Sequence, residues 1–237
     1  MSITKFEQLS KTKAGIYYHV KGGSVALLNA LRRTINDTLP SFAIEDVTFF
    51  ENTSALFNEY IGHRLGLIPL KFDENASPDL KVTFTLEATG PTVVYSKDLK
   101  STDDKVVAAL PHIPIIVLSE NQSIRLEAVA IRGTAKQHAK FQNCHASYMH
   151  YPELKIKGSK AEALKLIPKG IVDENCKVIR PEKLDIDRFS DDVTVIPVEG
   201  EFIFYVESYS GEAPGKVLQR AVSILREKTE ELKTELK

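Results

Sequence analysis

Residues 22–70, GGSVALLNALRRTINDTLPSFAIEDVTFFENTSALFNEYIGHRLGLIPL, decide the fold. The spacing predicts a helix after Gly22-Gly23, with Ser24 as its N-cap and Pro40 as its stop. At 3.6 residues per turn, Ser24, Val25, Leu28, Leu31, Ile35 and Leu39 share one face. Asn29, Asn36 and Asp37 lie opposite, and Arg33 belongs to that polar side. Arg32 projects between Val25 and Leu39, inside the apolar arc. A charge there must keep its head in water or meet a carboxylate, because an unpaired buried charge is too costly. Such a helix has an apolar face that meets another body. Phe42 to Glu51 reads as a strand and Ala55 to Leu67 as a second helix.

Outward from this stretch, Ile3 to Leu9 and Ile16 to Val20 read as strands around a turn at Lys11-Thr12-Lys13. Val82, Phe84 and Leu86 alternate with Thr83, Thr85 and Glu87, the pattern of a half-buried antiparallel strand. Val93 to Tyr95, Ile113 to Leu118 and Ile124 to Ile131 are further strands, with a polar loop from Ser96 to Lys105. His145 to Ile156 is strand-like but interrupted by Pro152. The pattern weakens from Gly158 to Phe189, apart from a short helix signal at Ala161 to Leu166. Val193 to Val198 and Glu201 to Glu207 read as two strands joined across Glu199-Gly200. Pro214 then opens a final helix of about 23 residues, roughly 35 Å long. Val217, Leu218, Ala221, Leu225, Leu232 and Leu236 share its apolar face.

A chain of 237 residues can bury one large core or two modest ones. A net charge of −1 gives no global basic face for nucleic acid. No apolar run reaches the about 20 residues needed to span a bilayer, and no signal-peptide order opens the chain. These features predict a soluble, intracellular protein. Its two cysteines, Cys144 and Cys176, cannot build a disulfide framework and read as free thiols of a reducing compartment.

The same two cysteines bound the metal chemistry. There is no C-x-x-C pair, and four thiolates for an iron–sulfur cluster are not available. Cys144 stands near His138 and His145, so a thiolate–imidazole pair is conceivable, although no nucleophile motif surrounds it. The carboxylate pairs Asp103-Asp104 and Asp191-Asp192 fall in polar loops and read as solvated surface. Neither a P-loop nor a dinucleotide-binding glycine loop is present. The residues therefore define no active site. They define instead two helices with apolar stripes, the longer one overreaching a small sheet, a combination that predicts a protein partner.

Three blocks of sequence carry a resemblance. The first combines the run Asn29 to Thr34, NALRRT, with LPSFAIEDVTFFENTS and IGHRLGLIPL. The second is Gly133 to Phe141, GTAKQHAKF, and the third is Phe204 to Ser208, FYVES, followed by the long helix. In this order they resemble the alpha-like subunits of multisubunit RNA polymerases, and among these the archaeal D type most closely. The third-largest eukaryotic subunits fit less well because the cysteines of their zinc loop are missing. The bacterial alpha subunit is disfavoured because no linker and DNA-binding domain follow Lys237.

The resemblance implies an α+β fold: a dimerisation domain of antiparallel sheet plus two long helices, interrupted by a mainly β inserted domain. Residues 1–41 and 190–237 would form the first and residues 42–155 the second. Residues 156–189 stand where many relatives carry a ferredoxin-like domain. The implied function is a non-catalytic assembly platform that pairs with a small alpha-like subunit of the archaeal L type. Val25, Leu28, Leu31, Ile35, Val217, Leu218, Ala221, Leu225 and Leu232 are the expected dimer interface. Arg32 and Arg33 are the expected docking site for the second-largest subunit, since arginine's planar fork suits bidentate pairing with carboxylates. Without the resemblance, Arg33 would simply pair with Asp37 one turn on. The largest subunit and small zinc-containing subunits are further implied partners, with DNA met only through the complex. No zinc, cluster or other cofactor is expected, and the expected location is cytoplasmic for an archaeal chain and nuclear for a eukaryotic one. A stand-alone homodimeric scaffold and a small cysteine hydrolase built on Cys144 are the competing readings.

Overall fold

The computed structural model describes residues 4–156, 167, 170–173, 175, 177–184 and 193–236. The helix signal at Ala161 to Leu166, Cys176 and the pair Asp191-Asp192 lie outside the described residues. The architecture is α+β, with antiparallel sheets and few helices. The chain divides into two compact units, Met1–Arg33 with Ala146–Glu207, and Thr34–His145 with Ser208–Lys237.

The first unit is built on a four-stranded sheet. Strands β1 (Lys5–Lys11) and β2 (Gly15–Lys21) form the expected hairpin. β2 also pairs antiparallel with β10 (Val193–Ser208), from Glu201 opposite Lys21 to Glu207 opposite Gly15. The strand order is β1-β2-β10-β9, which puts β9 (Cys144–Ile156) at an edge. There Pro152 does not break the strand as the sequence suggested, because an edge strand tolerates a missing N–H on its outer side. The two strands expected on either side of Gly200 are one. Gly200, at φ +74°, kinks the strand without ending it, and its carbonyl accepts from the Gly22 amide at 3.0 Å. A side chain at Gly15 would strike the Val206 carbonyl at 2.3 Å, so only glycine permits that ladder. Tyr151, Leu154, Ile171, Val178 and Ile203 pack one core of this unit. His19 stacks on Tyr151 with centroids 4.1 Å apart and bonds Glu201 at 2.7 Å.

The helix α1 spans Val25–Arg33. The Ser24 hydroxyl accepts from the Leu27 amide at 3.2 Å, as the N-cap reading requires. The sequence predicted one α-helix to Leu39; instead Thr34–Thr38 form a π-helical turn. It closes with the Leu39 amide on the Thr34 carbonyl at 3.0 Å. Such a turn holds one extra residue and rotates the chain beyond it.

In the second unit, β3 (Ser41–Asn52), β8 (Ser123–Gly133), β4 (Val82–Thr89) and the short β6 (Lys100–Ser101) form a sheet in that order. β5 (Thr92–Tyr95) and β7 (Pro114–Leu118) form a separate ribbon. The inward residues of the β4 alternation, Val82, Phe84 and Leu86, are buried in the core, together with Ile61 and Leu65 of the helix α2 (Asn58–Gly66). α2 begins three residues later than predicted. Asn52 explains this: its side chain bonds the Leu56 carbonyl and the Ser54 amide, holding the chain in a local turn instead of a helix. Gly133 is fixed by packing, since a Cβ there would lie 2.6 Å from the Phe141 ring. The last helix, α3, spans Pro214–Glu235. Among the described residues no helix is long and apolar enough to cross a membrane.

Candidate interaction surfaces

The nine residues expected at a dimer interface divide by exposure. Leu28, Leu31, Ile35, Val217 and Ala221 are buried within the chain. Val25 and Leu232 are about half exposed, at 50% and 55%, and Leu218 and Leu225 are half-buried. A residue already buried in the isolated chain offers no surface, so the accessible apolar face is narrower than predicted and displaced.

On α3 the displacement follows from the 100° step between residues. Val217, Ala221 and the half-buried Ile224 form one stripe. Leu218, Val222, Leu225, Thr229, Leu232 and Leu236 form a second stripe about 90° around the helix. The sequence reading merged the two. The second stripe alternates spacings of four and three, the repeat of a coiled-coil seam. Val222, Leu232 and Leu236 are exposed, at 49%, 55% and 78%, and Thr229 ties its hydroxyl back to the Leu225 carbonyl at 2.7 Å. Val222 and Leu27, the latter 39% exposed on α1, are surface apolar residues that the sequence reading missed. Periodicity alone could have found Val222.

The arginine pair also divides. Arg32 is half-buried, and its Nε and Nη2 donate to Asn29 Oδ1 at 3.2 and 3.0 Å. The acceptor is therefore an amide oxygen one turn back, not the carboxylate or open water that the sequence suggested. Arg33 is exposed at the end of α1 and has no ion pair among the described residues.

A polar cluster that the sequence did not reveal anchors α3. Arg220 Nη1 meets Glu212 Oε2 at 2.6 Å, Nη2 donates to the Pro40 carbonyl at 2.8 Å, and the guanidinium lies 4.0 Å from the Phe72 ring centre. Burial pushes the Glu212 carboxyl up, and the Arg220 charge opposes that shift.

Cys144 lies beside this cluster and is buried. Burial, reinforced by Glu212, pushes its thiol up to about 12, so no thiolate forms near neutral pH. That corrects the hydrolase alternative: a nucleophile must be deprotonated and reachable, and Cys144 is neither. His138 Nδ1 accepts from the Lys140 amide and serves the local turn.

An α+β chain of antiparallel sheets, with a β-rich middle between α1 and α3 in sequence, has the build expected of an alpha-like polymerase subunit. Residues 44–149 match the family model of the RNA polymerase Rpb3/RpoA insert domain. The chain is 35% identical over 256 residues to the DNA-directed RNA polymerase subunit Rpo3 of Thermococcus kodakarensis, covering 99% of this chain and 98% of the relative. It is 34% identical over 221 residues to that of Halobacterium salinarum, covering 90% and 89%. With the Pyrococcus horikoshii subunit the identity is 44% over 161 residues, 65% of this chain and 62% of the relative. The chain belongs to the Rpo3 family, the D-type alpha-like subunits of archaeal DNA-directed RNA polymerase.

Proposed function

We propose that this RNA polymerase subunit is non-catalytic and acts as an assembly platform. It pairs with a small alpha-like subunit of the archaeal L type, and the pair docks the second-largest subunit, after which the largest and the small zinc-containing subunits join. The observation that carries this reading is the second stripe of α3, Leu218, Val222, Leu225, Thr229, Leu232 and Leu236, regular in spacing, with Val222, Leu232 and Leu236 exposed and Leu218 and Leu225 half-buried. A coiled-coil repeat left open to water favours a second helix laid along it. Val25 and Leu27 add exposed apolar surface on α1. Leu28, Leu31, Ile35, Val217 and Ala221 serve as the buried footing of their own segments. Arg33, with Arg32 beside it, supplies the contact to the second-largest subunit.

In this reading residues 1–41 and 190–237 form the dimerisation part, 42–155 the insert and 156–189 a remnant of a ferredoxin-like domain. The match over 44–149 supports the insert boundaries. The subunit carries no iron–sulfur cluster or zinc, meets DNA only through the complex and works in the cytoplasm. Mass measurement in solution tests the pairing. The chain mixed with the small alpha-like subunit should run as a one-to-one heterodimer. A stable homodimer that ignores the small subunit would replace this reading with the stand-alone scaffold.

A further inference from the structure

Helix α3 has a weak grip where it is buried and a long reach where it is not. Its fully buried side chains are Val217 and Ala221, two small residues on one stripe. A stripe that narrow resists separation but fixes the roll of a helix poorly, because apolar contact is not directional. Ala213, at the N-cap, makes no side-chain capping bond. Every residue from Arg226 to Leu236 is exposed, so the last three turns stand clear of the unit that contains them.

Arg220 lies on the flank of the buried stripe opposite the seam. It supplies three directional contacts from one side chain: the Glu212 carboxylate at 2.6 Å, the Pro40 carbonyl at 2.8 Å and the Phe72 ring at 4.0 Å. Arg220 and Glu212 have side chains only 14% and 12% exposed, so the pair is shielded from water. Phe72 is itself held, by Phe42 at 5.9 Å and by the Arg132 guanidinium at 5.5 Å. Arg220 therefore ties α3 to the segment before it, to the entry of β3 and to the loop carrying Phe72. From Arg220 to Leu232 the helix advances roughly 18 Å, so a tilt of about 10° moves Leu232 by about 3 Å. That displacement is enough to take a side chain out of a knobs-into-holes seat.

We infer that Arg220 is a positioning residue for assembly: it touches no partner, but sets the direction and roll of α3 so that its seam meets the small alpha-like subunit. The inference rests on the pairing proposed above. Its test uses the full chain and the small alpha-like subunit, with affinity and melting temperature measured on the same preparations. Arg220→Gln should remain folded, melt lower and pair at least tenfold more weakly. Arg220→Lys keeps a charge for Glu212 but loses the flat stack and the fork, so it should regain most of the melting temperature while pairing stays at least fivefold weaker. Leu86→Ala, in the core of the insert, should lose as much melting temperature and pair within twofold of wild type. Affinity that merely tracks melting temperature across all three variants overturns the inference, as does Arg220→Gln pairing like wild type. If Arg220→Gln does not fold, the split between stability and affinity in Arg220→Lys decides alone. A wild-type chain that never pairs overturns the underlying reading, and the inference with it.

Discussion

Arg32 and Arg33 adjoin in sequence and differ in surroundings because one helical step separates water from the half-buried flank. Arg33→Ala should change stability by less than about 0.5 kcal/mol, as an exposed substitution does. It should still weaken capture of the second-largest subunit in a reconstitution pull-down. Arg32→Ala loses two bonds to Asn29 and a half-buried stem, and thermal melts should show a loss of about 1 kcal/mol. The sequence reading put Arg32 inside the apolar arc, whereas its guanidinium turns to Asn29, a residue of the side read as polar. It did not reveal the Asn29 acceptor, because a side-chain rotamer is settled by packing and leaves no periodic mark.

Cys144 is the other residue whose surroundings decide its chemistry. In a Cys176→Ser chain, a thiol reagent near neutral pH should leave Cys144 unlabelled until denaturant is added. The Cys144 thiol, raised to about 12 from 9.0, and the Tyr151 phenol, raised to about 12 from 10.0, both hold their protons more tightly in the folded chain. Below the ordinary values both states are protonated and the full stabilisation is present. As the pH climbs, the unfolded chain ionises first, so stability falls from about pH 9 towards 12. Melting temperature against pH should show that fall, and Cys144→Ala should delay its onset towards about pH 10.

At the scale of elements, strands were the most legible. The Val82, Phe84, Leu86 alternation names both the strand and its inward face, because a period of two leaves little choice of register. The π-helical turn at Thr34–Thr38 was not legible. A helix pattern reports which face is apolar, not whether its bonds skip four residues or five. Gly200 misled in the other direction, since a glycine between two apolar runs reads equally as a turn or a kink. On α3, Val217 and Leu218 were merged because adjacent apolar residues fall within one broad arc, and only the burial of Val217 separates core from seam. The two stripes make opposite predictions. Leu232→Glu should leave the melting temperature of the free chain unchanged and weaken pairing with the small subunit by tenfold or more. Val217→Ala should cost the free chain about 2 kcal/mol in denaturant unfolding, because it opens space in a filled site.

For the whole molecule, the family resemblance carried the fold class, and the order of elements along the chain, strands and helix, a β-rich middle, then strand and helix, agrees with it. The resemblance implied an insert over residues 42–155, and the family-model match covers residues 44–149. The Arg220 cluster was invisible in the sequence, because Pro40, Phe72, Glu212 and Arg220 meet only once the chain has folded. A platform is defined by what it gathers, so the most direct measurement is made on the assembled complex. The chain, tagged and drawn gently from the cells that make it, should bring one small alpha-like subunit together with the second-largest and largest subunits in equal amounts by native mass spectrometry. Recovery of the chain alone, or as a homodimer free of polymerase subunits, would contradict the account.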